Sequence, residues 1–268
     1  LVETYRAAPL LAWRNGGFVR QERNVPAETA VALSVNGSTH AVMMATPADL
    51  REFAIGLALS ERIVSTIGDI ETLEIEETDS GYDCRLWLAP SLAARYVARR
   101  RLMTGPVGCG LCGVESLEQT RPELPDLADR LRVAPEAIVK AVADLGARQV
   151  LGAATRAVHA AAFAAVNGTI QVVREDVGRH NALDKVAGWL ALEGVAAGEG
   201  FLVMTSRVSV ELVQKAAVMG CELLAAVSAP TALALDSAEV AGLTLAVVVR
   251  GPDFELATHP QRVLGAVG

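Results

Sequence analysis

The stretch Phe201 to Val249, FLVMTSRVSVELVQKAAVMGCELLAAVSAPTALALDSAEVAGLTLAVVV, decides the fold class. Phe201 to Thr205 is a short apolar run of strand length, and Val208 to Gly220 follows as a helix. Leu223 to Val227 is a second strand, Thr231 to Ala241 a second helix, and Leu243 to Val249 a third strand. Strands alternating with helices predict a largely parallel sheet with helices on its faces. Working upstream, Ala157 to Val166 and Thr169 to Arg174 are apolar strands around Asn167-Gly168. Asn181 to Leu192 is helical, with Leu183, Val186, Ala187 and Leu190 on one face.

The first part of the chain reads as α+β. Val31 to Val35 and Ala41 to Ala45 flank Asn36-Gly37, a strong hairpin signal. Thr46 suits an N-cap and Pro47 the first helical position. Leu50, Phe53, Ala54 and Leu57 then share a helical face. Glu71 to Glu77 and Asp83 to Ala89 form two more strands, and a short basic helix spans Ser91 to Leu102. Met103 to Gly113 is too rich in glycine for regular structure. Pro122, Pro125 and Pro135 continue the linker, and Pro135 to Leu145 reads as a connecting helix. The expected organisation is an α+β domain over 1–105, a cysteine loop and linker helix over 106–146, and an α/β domain over 147–268.

The composition excludes several classes. Net charge is −7 and only Lys140, Lys185 and Lys215 are lysines, so no broad basic face for nucleic acid is expected. The one basic cluster, Arg99-Arg100-Arg101, reads as a solvated helix end or a docking patch for an acidic partner. Although 51% of the residues are hydrophobic, no run reaches the roughly 20 apolar residues of a membrane span. No secretory signal is read in Leu1 to Arg23, and a cytoplasmic protein is expected. Cys84 and Cys221 sit in apolar patterns and read as small buried residues rather than a disulfide framework. Trp13, Trp87 and Trp189 read as core or rim residues, and His159 as a core histidine.

The chemistry points to Gly108-Cys109-Gly110-Leu111-Cys112-Gly113. Structural zinc takes four ligands, and none of His40, His159, His180 and His259 stands at ligand spacing from the pair. A dithiol switch of the thioredoxin kind starts a helix after a strand, whereas this loop is full of glycine. A sulfur carrier needs a nucleophilic thiolate on an adaptable, exposed loop, and a persulfide is a reversible cap on such a thiol. The pair is therefore read as carrying sulfur, with no metal site.

A second group of residues gathers at strand ends, where α/β sheets bind ligands. These are Thr205-Ser206-Arg207, Ser228-Ala229-Pro230-Thr231 and Arg250-Gly251-Pro252-Asp253, with Arg174 to Asn181 between a strand and a helix. Arginine, hydroxyls and helix N-termini suit phosphate. His180 fits either a ligand contact or a cap.

Five stretches in order resemble the FdhD family of formate dehydrogenase accessory sulfurtransferases. They are Gly108 to Gly113, Arg174 to Ala182, Ser206 to Ser209, Val213 to Ala217 and Ser228 to Ala232. The resemblance runs from about Arg23 to Arg262. It implies a cytidine-deaminase-like fold for the second domain. It also implies that sulfur from a cysteine desulfurase is passed to the bis-guanylyl molybdopterin cofactor before insertion into formate dehydrogenase. Cys109 matches the persulfide-forming cysteine and Cys112 its partner. Val248, Val249, Arg250, Gly251, Pro252 and Asp253 lie where the family binds the cofactor. Arg207, Arg179, His180, Asn181, Ser228 and Thr231 would hold guanylyl and phosphate groups. A homodimer would suit two guanylyl arms. The alternative is a non-catalytic chaperone for the cofactor. Zinc deamination is disfavoured, because His159-Ala160-Ala161 lacks the glutamate of His-x-Glu.

Overall fold

The computed structural model describes residues 2–93, 96 and 123–266. Its strands fall into three sheets. The largest is six-stranded, in the order β12-β11-β10-β9-β7-β8. These strands are β7 (His159–Ala165), β8 (Ile170–Asp176), β9 (Gly200–Met204), β10 (Leu223–Ala226), β11 (Thr244–Arg250) and β12 (Asp253–Thr258). Only β9-β10 and β10-β11 pair in parallel; β7 with β8, β7 with β9, and β11 with β12 are antiparallel. The largely parallel sheet expected from the alternation is thus a mixed one. Turns too short for a crossover cause this at both ends: Asn167-Gly168 after β7 and Gly251-Pro252 after β11 only allow the chain to reverse. Gly168 has φ +76, and a Cβ there would stand 2.3 Å from the Ala137 carbonyl oxygen, so no other residue fits this turn.

Helices cover both faces of this sheet. On one face lie α4 (Arg179–Glu193), α5 (Val210–Val218) and α6 (Ala232–Ala241). Leu183, Val186, Leu212, Val213 and Ala238 pack there against Phe163, Leu202, Met204 and Leu245. The other face takes α2 (Pro135–Arg148), through Ala137, Ile138, Ala141 and Leu145. Pro135 opens α2 at a position where its missing N–H is not needed. The helix expected as a connector is therefore also a wall of the core. A short helix, α3 (Val150–Thr155), follows it.

The second sheet has the order β4-β3-β6-β5, with β3 (Thr29–Val35), β4 (Ser38–Ala45), β5 (Ile70–Thr78) and β6 (Gly81–Leu88). The Asn36-Gly37 hairpin forms as expected, with φ +48 and +77. One face is covered by α1 (Leu50–Ser60). This helix starts later than its sequence signal. Asp49, at φ +55, is the N-cap position, and Thr46 is used elsewhere: its Oγ1 accepts the Val177 N–H at 3.2 Å. Of the basic helix expected over Ser91 to Leu102, residues 90–93 and 96 are helical; the remainder, with Arg99 to Arg101, lies outside the described residues.

Residues 5–26 form a hairpin arm, β1 (Tyr5–Arg14) against β2 (Gly17–Pro26), that the sequence reading did not anticipate. Trp13, expected in a core or rim, is exposed on it. Trp189 packs against the core as expected.

The two larger sheets are joined where α1 crosses α4 in backbone contact. A Cβ on Gly56 would lie 1.7 Å from the Asp184 carbonyl oxygen, and one on Gly188 would lie 1.8 Å from that of Glu52.

Candidate functional site

Because β8, β9, β10 and β11 run the same way, their carboxyl ends share one edge of the sheet. The four loops singled out in the sequence therefore come to one side. They are also bonded to one another. Val208 N–H donates to the Ala229 carbonyl at 3.2 Å, and Thr231 N–H to the Val208 carbonyl at 3.0 Å. Val248 N–H reaches the Ser228 carbonyl at 3.4 Å. Val248 itself has φ +54, a conformation that costs a β-branched residue about 1–2 kcal/mol. The strain falls at a register shift between Val247 and Arg250, inside the expected binding segment. Val249 turns into the core, whereas Arg250, Gly251, Pro252 and Asp253 are exposed.

The expected ligand residues divide into an exposed rim and a buried joint. Arg207, Arg250 and Thr231 are exposed and Ser228 is half-buried along the rim. Thr231 also caps α6, its Oγ1 accepting the Ala234 N–H at 3.3 Å. Asn181 is buried; its Nδ2 donates to the Met44 carbonyl at 2.8 Å and to Asp176 Oδ1 at 2.9 Å. Both amide hydrogens are thereby committed to the protein.

Asn181 belongs to a polar joint between α4 and the N-terminal sheet. Asp176 and Lys185, both wholly buried, pair at 2.7 Å. Asp176 Oδ2 also accepts the Thr46 N–H at 3.0 Å, and Lys185 Nζ donates to the Thr46 carbonyl at 3.1 Å. Beside this pair, Lys215 Nζ on α5 stands 2.8 Å from both oxygens of Asp184 on α4 and from Ser60 Oγ. Burial pushes the Asp184 carboxyl up, and the Lys215 charge pulls it back. Arg174 closes the joint by gripping both oxygens of Glu52.

Arg179 and His180 sit at the N-terminus of α4, on the same edge as the rim. His180 Nε2 is 3.5 Å from Ser209 Oγ and 4.0 Å from Glu211 Oε2. Burial first, then the Arg179 and Lys215 charges, lower its pKa to about 4, so the ring is neutral at pH 7. Arg179 Nε and Glu211 Oε2 are buried with no hydrogen-bond partner among the described residues. His159, expected as a core histidine, is half-buried at the start of β7, where burial first and then the Arg179 charge lower its pKa. His159, Ser209 and Glu211 were not among the expected site residues. The antiparallel β7-β8 hairpin, legible in Asn167-Gly168, is the signal that places the start of β7 beside the end of β8.

Cys109 and Cys112 lie outside the described residues. Both chain ends flanking that segment meet the N-terminal sheet and its helix. Tyr96 is buried, its hydroxyl 2.9 Å from His40 Nδ1, and Arg62 donates to the Glu123 carbonyl at 2.9 Å. Cys84 and Cys221 are buried free thiols, pushed by burial up to about 12 and about 11, and so poor nucleophiles. Among the described residues, no three His, Cys, Asp or Glu side chains gather to hold a metal ion, and no helix is long and apolar enough to cross a membrane.

The FdhD/NarQ family model matches residues 26–264. The chain belongs to the FdhD/NarQ family. It is 50% identical over 262 residues to the sulfur carrier protein FdhD of Agrobacterium fabrum, covering 97% of each chain. It is 51% identical to the protein of the same name from Brucella abortus, covering 95% of each. A crystal structure described as that of a formate dehydrogenase accessory protein from Desulfotalea psychrophila superposes with a TM-score of 0.78 at 25% identity. That match spans 97% of this chain and all of the other. The family match begins where the hairpin arm ends.

Proposed function

We propose that this FdhD/NarQ chain is a sulfur carrier of the cytoplasm that accepts persulfide sulfur from a cysteine desulfurase. It then delivers that sulfur to the bis-guanylyl molybdopterin cofactor destined for formate dehydrogenase. The observation that carries the second half is the rim. Arg207 and Arg250 stand exposed at the ends of β9 and β11, with the 228–231 loop bonded between them. Two guanidinium groups beside a helix N-terminus suit the phosphates of a guanylyl group. The first half rests on the chemistry of the pair and on the names of the relatives.

In the first step the Cys109 thiolate attacks the terminal sulfur of the desulfurase persulfide. A new S–S bond forms on Cys109, and the desulfurase thiolate leaves. In the second step the Cys112 thiolate attacks the Cys109 sulfur. Hydrosulfide is released for the cofactor, and a Cys109–Cys112 disulfide remains for a cellular dithiol to reduce. The two electrons that turn sulfane sulfur into sulfide thus come from the cysteine pair. Deamination has no support: the glutamate position of the deaminase motif is Ala161, which is fully buried in β7. Two copies side by side would match the two guanylyl arms.

Mass spectrometry after incubation with a cysteine desulfurase and cysteine tests the first step. The expected result is a gain of one sulfur atom on Cys109 or Cys112. A Cys109→Ala variant that still yields sulfurated, active formate dehydrogenase would overturn the transfer and leave a cofactor chaperone in its place.

A further inference from the structure

The ring of His180 is enclosed but loosely bonded. Its side chain is 17% exposed, in the first turn of α4. Its Nε2 makes a long contact of 3.5 Å to Oγ of Ser209, the N-cap residue of α5. Glu211 Oε2 stands 4.0 Å from the same nitrogen. This is not a nucleophilic triad, in which hydroxyl and carboxylate take opposite ring nitrogens. Two buried atoms around the ring are incomplete. Arg179 Nε has a hydrogen without an acceptor, and Glu211 Oε2 a lone pair without a donor, among the described residues. Open buried polar groups are costly, and a complementary pair of them calls for a partner from outside the fold.

The charged and titratable groups facing the ring are Arg179 on its own helix, Glu211 and Lys215 on α5, and His159 on β7. Lys215 is bound to Asp184, and Asp176 at the end of β8 is bound to Lys185. In the free chain, burial and then the Arg179 charge keep a proton off the ring. An anion on Arg179 reverses that balance, because it offsets the arginine and brings a negative charge of its own. One unit charge about 5 Å away, at an effective dielectric constant of about 20, raises the proton affinity of the ring about 300-fold. The protonated ring then gives Glu211 Oε2 the donor it lacks, and the anion gives Arg179 Nε its acceptor. One binding event closes both open groups.

We propose that phosphate binding at the rim is coupled to proton uptake by His180: the ring is neutral in the free chain and becomes an imidazolium when a phosphate settles on Arg179. The proton comes from solvent, and the only covalent bond made is the ring N–H. His180 is thus a positioning residue. It turns a loose contact between α4 and α5 into an ion pair with Glu211 only while the anion is present. The inference rests on the rim as a phosphate site, as proposed above, but not on sulfur transfer.

Isothermal titration calorimetry of the full chain with diguanosine pyrophosphate tests it. This probe carries one negative charge on each phosphate and, as a diester, does not titrate near neutral pH. Heats at pH 6 in buffers of different ionisation enthalpy give the protons bound per ligand. The wild-type chain should take up about 0.7 proton per site, and its affinity should fall about four-fold between pH 6 and pH 8. His180→Gln should bind with no uptake and a flat pH profile, while His159→Gln keeps the wild-type uptake; circular dichroism confirms that both are folded. Guanosine, which lacks the phosphates, should evoke no uptake. The His180 Cε1–H proton resonance of the wild-type chain, assigned by its absence from His180→Gln, gives a reading that needs no binding by the variant. It should move to the imidazolium position when the probe saturates the chain at pH 6. Probe binding without proton uptake overturns the proposal. So does equal uptake by His180→Gln, uptake evoked by guanosine, or a His180 resonance that stays at the neutral position. A wild-type chain that gives no binding heat overturns the rim as a phosphate site, a failure distinct from heat that does not vary with buffer. None of these outcomes depends on whether the mass of one sulfur appears on Cys109.

Discussion

Lys185→Met should separate the two sheets energetically more than any surface change. Lys185 and Asp176 have no exposed side-chain surface, and their contact is 2.7 Å. Removing the cation leaves a buried carboxylate, an error that typically costs about 3–5 kcal/mol. Asp176 retains the N–H groups of Thr46 and Gly178 and the Asn181 amide, which moves the expectation toward the lower end. The Thr46 carbonyl loses its Lys185 donor as well, which adds about 1 kcal/mol. A loss of about 4 kcal/mol is a large part of the 5–15 kcal/mol that holds a typical domain. Urea unfolding followed by circular dichroism should show a lowered midpoint at unchanged slope. Asp176→Asn/Lys185→Met should recover about 2 kcal/mol or more relative to additivity, since neither charge is then left alone. Lys140→Met serves as the control. Lys140 pairs with Asp144 at 3.3 Å on an exposed helix face, and its loss should cost under about 1 kcal/mol. A Lys185→Met chain within about 1 kcal/mol of wild type, or additive double-mutant energies, would refute the reading of this pair as the joint.

Two further expectations follow from the same region. His180 has its pKa lowered from 6.5 to about 4, so between those values the unfolded chain binds a proton that the folded one refuses. Stability is then fully present above pH 6.5 and falls as pH drops toward 4, by ~1.4 kcal/mol per pH unit and about 3 kcal/mol in all. Thermal melts at pH 7 and pH 4.5 should differ less for His180→Asn than for wild type; an equal difference removes the histidine from the account. Gly188→Ala should destabilise strongly, because its methyl would meet the Glu52 backbone at 1.8 Å, whereas Gly146→Ala in α2 meets nothing within 4 Å and should stabilise by about 0.5–1 kcal/mol. Urea midpoints that move the same way in both would contradict the assignment of α1–α4 contact to these glycines.

What the sequence discloses here depends on whether a signal is local. The hairpins at Asn36-Gly37 and Asn167-Gly168, and the helices after β8, β9 and β10, are written in neighbouring residues and were legible. The antiparallel β11–β12 edge and the pairing of β7 with β9 were less so, because strand–helix alternation says nothing about strand order. The arm was illegible for a different reason: Tyr5 to Pro26 has no buried face, so its apolar residues show no core pattern. The site was half legible. The sequence pattern reads Arg174 to Asn181 as one polar cluster facing a ligand and leaves Asp184 and Lys185 to the helix, yet the structure turns the cluster two ways. Asn181, Asp184, Lys185 and Gly188 recur at helical spacing and meet the first sheet and its helix, while Leu183, Val186 and Leu190 meet the large sheet. A helix buried on both sides has no polar face to give to solvent, so its polar stripe marks a joint. Lysine usage carries the same message: of only three lysines, two are spent inside this joint. Only Arg179 and His180, in the first turn, stand at the end of α4 that reaches the rim, so the joint sets the position of the two residues of the cluster still available for a ligand.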